Sequence, residues 1–324
     1  MCSTGKEVAT EILPFIRVYK DGSVERLAGS PIVPPSASDP ETGVSSKDII
    51  VSQDPPISAR IYLPKHLLDQ HQKHPILVYF HGGGFCFSSA FSFVETKFMN
   101  RLTCLANAVV VSIEYRLAPE HPLPICYHDC WTGLQWVVSH SNGDSNEEPW
   151  VYYTYADFDR VYIGGDSAGA NIAHNILMKA GSEGLRNGVK IKGAFLTHPY
   201  FWGSKPIGSE MKDMEEREKL ATYTTWHLVY PEVPGDIDNP MINPVVPGAP
   251  SLAGLGCSRL LISVAGKDLL RDRGILYYNA VKESGWQGEL ELVEVEDEVH
   301  AFHIDVYDSE NAEKHIKRLA AFLV

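Results

Sequence analysis

From Pro75 onward, short β-branched and aliphatic runs alternate with longer segments of helical period, and this alternation constrains the fold more than any other feature. The runs are PILVYF from Pro75, AVVVSIEY from Ala108, RVYIGG from Arg160, IKGAFLTHPYF from Ile191, RLLISVAG from Arg259 and ELELVEV from Glu289. Helical segments are expected at about 91–105, at 128–140, directly after Ser167, at 273–284 and in the closing SENAEKHIKRLAAFLV. Strands that are apolar on both faces and separated by helices predict a mostly parallel, twisted sheet with helices on both faces, a three-layer α/β architecture. After Ser167, Ile172, Ala173, Ile176, Leu177 and Ala180 make one apolar stripe, so that helix lies on the sheet with its amino end at the strand edge.

With 324 residues, 44% of them hydrophobic and 21% charged, the chain can bury a large core, and a single domain over 1–324 is expected. Two regions break the alternation. Residues 1–50 are rich in Pro, Ser and Gly and read as a loop-dominated N-terminal segment, and 202–256 combines a charged helical piece with a proline-rich run. Both are expected to form a cap over a pocket. A formal charge of −13 repels phosphate backbones and anionic lipid, so nucleic acid and membrane partners are not expected. The first residues carry charges among their apolar positions and no uninterrupted apolar run, and the six cysteines are scattered. Those features predict a cytoplasmic protein with reduced thiols.

RVYIGG runs into GDSAG at 165–169, a G-x-S-x-G pattern between a strand and a helix. A nucleophile on such a sharp turn takes strained dihedrals, and glycines two residues to either side let neighbouring backbone pass, so the Ser167 hydroxyl stands above the carboxyl edge of the sheet. The helix amino end behind it supplies free N–H donors. HGGGF at 81–85 leaves another strand through His81 and three glycines. If Gly82, Gly83 and Gly84 reach the same edge, their N–H groups face the carbonyl that Ser167 attacks, with the Ala168 N–H beside them. Each such donor is worth about 10²–10³ in rate. His81 is expected to brace this loop.

A serine hydroxyl needs a base, and the base an orienting carboxylate. Asp268 follows RLLISVAG and His300 follows ELELVEV, both at strand carboxyl ends and in the chain order Ser, acid, His. Asp272 is the alternative acid, expected instead in a first helical turn, and His303 the alternative base. CYHDC (Cys126, His128, Asp129, Cys130) has no second cluster at metal-ligand spacing and reads as a helix start, so no metal is expected.

HGGGF, YRLAPEHPLP at 115–124, GDSAG, DLLRD at 268–272 and HAF at 300–302 together resemble the hormone-sensitive-lipase-like branch of the α/β-hydrolases. PFIRVYKDGSVERL, DPETGVSSKDI, FWGSKPIGSE, DNPMINPVVPGAPSLA and ESGWQGEL are similar to plant carboxylesterases, especially the 2-hydroxyisoflavanone dehydratases of legumes. This resemblance implies the α/β-hydrolase fold, a catalytic set of Ser167, Asp268 and His300, and oxyanion donors Gly83, Gly84 and Ala168. His81, Gly82 and Asp166 are supporting positions in this reading, and no cofactor is implied. Dehydratases of the group typically carry threonine where this chain has Ser167, which favours a carboxylesterase acting on a small-molecule ester. A dehydratase acting on a flavonoid-like substrate is the alternative. A hormone-receptor reading is opposed by His300, which the plant gibberellin receptors of this fold lack.

Overall fold

The computed structural model describes residues 6–64, 73–142, 148–151 and 155–324. The chain opens with a small antiparallel sheet of β1 (Val8–Ile12), β2 (Ile16–Tyr19) and β3 (Val24–Arg26). The main sheet comprises β4 (Ser45–Gln53), β5 (Pro56–Leu63), β6 (His74–Phe80), β7 (Val109–Glu114), β8 (Ala156–Asp166), β9 (Ile191–Thr197), β10 (Arg259–Ala265) and β11 (Glu289–Val295). Its spatial order is β11-β10-β9-β8-β6-β7-β5-β4. Every pair from β11 to β7 is parallel, and β5 and β4 extend the sheet as antiparallel strands.

Pleating decides which side chains meet which helices. In β6, Ile76, Val78 and Phe80 join one buried cluster, while Leu77 and Tyr79 join the other. The first face is covered by α2 (Ile125–Ser139), α3 (Ala168–Glu183) and α6 (Arg271–Glu283), through residues such as Leu134, Ile172, Ile176 and Tyr277. The second is covered by α1 (Phe93–Ala106) and α8 (Glu310–Phe322), through Phe98, Leu102, Ile316 and Leu319. Ser309 caps α8 by accepting from the Ala312 N–H. The expected stripe on α3 is buried along its whole length. No helix among the described residues is long and apolar enough to cross a membrane.

The loop-dominated expectation for residues 1–50 needs correction, because they hold β1–β3 and most of β4. The strands were hidden because their side chains lie near the surface: four of the five residues of β1 are exposed, so no apolar alternation marks it. The segment 202–256 contains α4 (Met214–Glu218), α5 (Ala221–Val229) and single 3₁₀ turns. It is fastened by a buried cluster in which Glu210 binds both Arg217 and Arg273. A last short helix, α7 (Phe302–Asp305), follows β11.

Candidate active site

Ser167 sits between β8 and α3 with φ 52° and ψ −116°, a left-handed conformation that L-residues avoid unless the surroundings enforce it. The neighbouring glycines show how they do so. A Cβ on Gly169 would stand 1.9 Å from the Phe80 carbonyl oxygen, and one on Gly165 would stand 2.4 Å from the Gly169 carbonyl carbon. Only glycine at both positions lets α3 start against the end of β6. The Ser167 N–H donates to the Thr197 carbonyl at 2.8 Å, tying the turn to the end of β9.

His300 and Asp268 reach this turn from the ends of β11 and β10. His300 Nε2 lies 2.9 Å from Ser167 Oγ, and His300 Nδ1 lies 2.7 Å from Asp268 Oδ2. The other carboxylate oxygen of Asp268 accepts the Leu270 N–H at 2.9 Å, which fixes the plane of the carboxylate. Burial works against a charged His300 imidazole, but the adjacent Asp268 carboxylate outweighs it and holds the pKa above the ordinary histidine value.

The alternatives lie elsewhere. Asp272 is in the first turn of α6, as its position predicted, and accepts from the Ser209 N–H and hydroxyl at 2.6 and 2.7 Å. His303 is buried in α7 among Phe98, His198 and His315, and burial keeps its pKa well below normal. In the CYHDC segment, Asp129 is held by two hydrogen bonds from the Arg116 guanidinium, and the Cys126 and Cys130 thiols are buried.

The glycine loop has its own geometry. A Cβ on Gly82 would meet Asp166 Oδ2 at 2.2 Å. Gly83 has φ +91°, and its Cβ would meet the Phe87 carbonyl oxygen at 2.1 Å, because the Gly83 carbonyl accepts from the N–H groups of both Cys86 and Phe87 in a tight turn. Gly84 has φ +57° and would bring its Cβ to 3.2 Å from Thr225 Cγ2. Glycine is therefore favoured at Gly82 by the approach of Asp166, at Gly83 by both its positive φ and the Phe87 carbonyl, and at Gly84 by its positive φ, in addition to any demand from a substrate. Gly83 and Gly84 line a cavity together with Ser167, and Ala168 is buried at the first position of α3.

His81 braces the loop from behind. Its ring stacks on Tyr115 at 4.1 Å, its Nδ1 faces the Gly82 carbonyl at 2.9 Å, and burial lowers its pKa to about 4. The Tyr115 hydroxyl donates to the carbonyls of His81 and Gly82 at 2.9 and 3.1 Å. Asp166 accepts from the Tyr79 hydroxyl at 2.5 Å, and burial pushes its pKa up to about 6. From the N-terminal segment, Arg26 donates to the Cys86 carbonyl at 2.8 Å and pairs with Glu120, while Phe15 stacks on Phe87 at 5.1 Å.

His198 carries no motif and was not anticipated. At the end of β9 it adopts φ 48°, and its Nδ1 accepts the Ala301 N–H at 3.0 Å, so the loop next to His300 is held in place. Its ring centre is 5.6 Å from that of His300. The one available signal was its position just past a buried strand, at the same edge as Ser167, Asp268 and His300.

The cavity over Ser167 measures about 530 Å³, within the range of small-molecule sites. Phe15 and Gly29 from the N-terminal segment, Ala221 and Thr225 from α5, and Leu269 and Ile304 contribute to its walls.

Residues 77–304 match the model of an α/β-hydrolase fold family. The chain is 55% identical to a 2-hydroxyisoflavanone dehydratase of Glycyrrhiza echinata, over 99% of this chain and 98% of the relative. It is 44% identical to "Probable carboxylesterase 2" of Arabidopsis thaliana, over 100% of this chain and 98% of the relative. A solved structure of a hyperthermophilic esterase from the archaeon Pyrobaculum calidifontis superimposes with a TM-score of 0.66 at 27% identity, covering 86% of this chain and 82% of the esterase. The protein belongs to the α/β-hydrolase fold family, among relatives that are plant carboxylesterases and 2-hydroxyisoflavanone dehydratases.

Proposed function

We propose that the protein is a serine carboxylesterase acting on small-molecule esters. The observation that carries this reading is the linear set Ser167 Oγ, His300 Nε2 and Nδ1, Asp268 Oδ2, with contacts of 2.9 and 2.7 Å. Ser167 Oγ attacks the ester carbonyl carbon while His300 Nε2 takes its proton, and Asp268 holds the imidazolium through Nδ1–H. The negative charge gathers on the carbonyl oxygen, where the N–H groups of Gly83, Gly84 and Ala168 act as donors. The C–O bond to the alcohol then breaks, and His300 returns its proton to the departing oxygen. Water repeats the sequence on the acyl-enzyme and releases the acid. The N-terminal segment and 202–256 serve as the cap that closes over the acyl and alcohol groups. The five cysteines of the described residues are unpaired, which supports a reducing compartment such as the cytoplasm.

A second reading is favoured by the 55% identity to a 2-hydroxyisoflavanone dehydratase. In it, His300 removes a proton beside a carbonyl that the glycine loop polarises, the electron pair forms a double bond, and hydroxide departs from the adjacent carbon. The deciding experiment is labelling with a fluorophosphonate, followed by mass spectrometry. The esterase reading expects a single adduct on Ser167, and an unlabelled Ser167 would contradict it.

A further inference from the structure

The Gly83 carbonyl oxygen accepts two hydrogen bonds, from the Cys86 N–H at 3.0 Å and the Phe87 N–H at 2.9 Å. That carbonyl shares a trans peptide unit with the Gly84 N–H. The two groups of such a unit point in opposite directions, so whatever holds the Gly83 oxygen also sets where the Gly84 N–H points. Gly84 lines the cavity over Ser167, and its N–H has no acceptor among the described residues.

Both donating peptides are anchored in turn. The Phe85 carbonyl, in one unit with the Cys86 N–H, accepts from the Ala118 N–H at 2.9 Å. The Cys86 carbonyl, in one unit with the Phe87 N–H, accepts from Arg26 Nε at 2.8 Å. Arg26 reaches the other anchor as well, with Nη2 lying 3.3 Å from the Ala118 carbonyl. Glu120 orients the guanidinium, its two carboxylate oxygens taking Nη1 and Nη2 at 2.9 and 2.7 Å. One chain of hydrogen bonds therefore runs in a single direction, from Arg26 Nε–H to the Cys86 carbonyl and from the Phe87 N–H to the Gly83 carbonyl, and it ends at the Gly84 N–H. Aligned hydrogen bonds polarise one another, and a donor fixed in advance costs no reorganisation when charge develops on its acceptor.

We propose that Arg26 is a positioning residue of the oxyanion loop, acting on the transition state through the Cys86–Phe87 and Gly83–Gly84 peptide units. Arg26 does not line the cavity, whereas Phe15 and Gly29 do. The N-terminal segment thus has two separable tasks, walling the cavity and setting the donor geometry. This inference rests on the reading of Gly84 as an oxyanion donor.

The test compares Arg26→Met and Arg26→Lys with the parent. Arg17→Gln is the control, because Arg17 joins Glu11 and Glu25 within the small sheet, away from the loop. The quantities read are kcat and KM for p-nitrophenyl butyrate, Ki for octyl trifluoromethyl ketone, and amide hydrogen exchange in a peptide covering 83–87. The ketone probes the oxyanion directly: Ser167 Oγ adds to its carbonyl carbon, the proton passes to His300, and the carbonyl oxygen becomes an oxyanion. Arg26→Met is expected to lower kcat about tenfold, less than the loss of a whole donor, with KM within about twofold of the parent. The ketone should weaken by the same factor, and exchange over 83–87 should quicken about tenfold while β8 exchanges as in the parent, which shows that the variant folds. Arg26→Lys, which keeps a cation and one donor, should fall between, and Arg17→Gln should match the parent.

A kcat for Arg26→Met within about twofold of the parent, or a loss confined to KM with the ketone bound as before, overturns the proposal. So does an equal fall in kcat in Arg17→Gln, which would trace the effect to the N-terminal segment as a whole. If the parent neither hydrolyses the ester nor binds the ketone, the esterase reading falls. The hold of Arg26 on the loop is then decided by exchange, where faster exchange over 83–87 in Arg26→Met sustains it and unchanged exchange overturns it.

Discussion

Arg273 grips both carboxylate oxygens of Glu210, Nε at 2.6 Å and Nη2 at 2.8 Å, while Arg217 Nη1 reaches Oε2 at 2.6 Å. Both guanidiniums also lie over the Trp202 ring, at 4.7 Å for Arg217 and 5.4 Å for Arg273. The three charged side chains are at most 4% exposed, so this cluster joins 202–256 to α6 without help from solvent.

Glu210→Ala should therefore destabilise the protein by about 3–5 kcal/mol, because it leaves two buried guanidiniums without their carboxylate. Denaturant unfolding followed by circular dichroism measures this. A loss below about 1 kcal/mol would show that the cluster does not fasten the segment.

Gly83→Ala and Gly84→Ala should differ. At Gly83 the new methyl meets the Phe87 carbonyl in a backbone turn that cannot yield, whereas at Gly84 the nearest atom is the Thr225 methyl at 3.2 Å. Both positions have positive φ, so both variants carry strain. Gly83→Ala should reduce kcat on an activated ester by about 10²-fold or more, and Gly84→Ala by roughly tenfold, if the loop donates to the oxyanion. Unchanged kcat in both variants would give the glycines a purely structural cause.

The pH profile of kcat/KM should report His300. A base acts only when neutral, and the Asp268 carboxylate raises the pKa of His300, so activity should be lost on the acid side at a pH above the ordinary histidine value of about 6.5. Asp268→Asn removes the charge and leaves the burial, so the acid limb should move to lower pH while kcat falls by about 10⁴. Asp272→Asn, remote from the imidazole, should keep both within about threefold of the parent by the same comparison. A larger loss at Asp272 than at Asp268 would reverse the assignment.

The parallel sheet was legible from Pro75 onward because strands buried on both faces are continuous apolar runs. Ser167, Asp268 and His300 were singled out because each lies just past the carboxyl end of a strand, β8, β10 and the half-buried edge strand β11 respectively, and the structure brings all three within hydrogen-bond reach. The strands β1–β4 were not legible, since most of their positions are exposed or half-buried, and β4 shifts register between Ile50 and Ser52, while β5 is buried from Ala59 to Leu63 but carries Arg60 within that run. The roles of Arg26 and His198 were invisible for another reason. Each is an isolated polar residue in an ordinary local pattern, and only the folded chain places Arg26 on the Cys86 carbonyl and His198 against the Ala301 N–H. The glycines of 82–84 were noticed, but their collisions with Asp166, Phe87 and Thr225 involve residues whose approach no spacing encodes.

The central claim is that Ser167 is the nucleophile, and the steady-state hydrolysis of p-nitrophenyl butyrate by Ser167→Ala tests it most directly. Ser167 is buried on a turn fixed by its own backbone hydrogen bonds, so alanine should leave the fold intact. The account predicts a fall in kcat of about 10⁴-fold or more, down to the residual rate that binding and the oxyanion donors supply alone. A kcat within tenfold of the parent would contradict it.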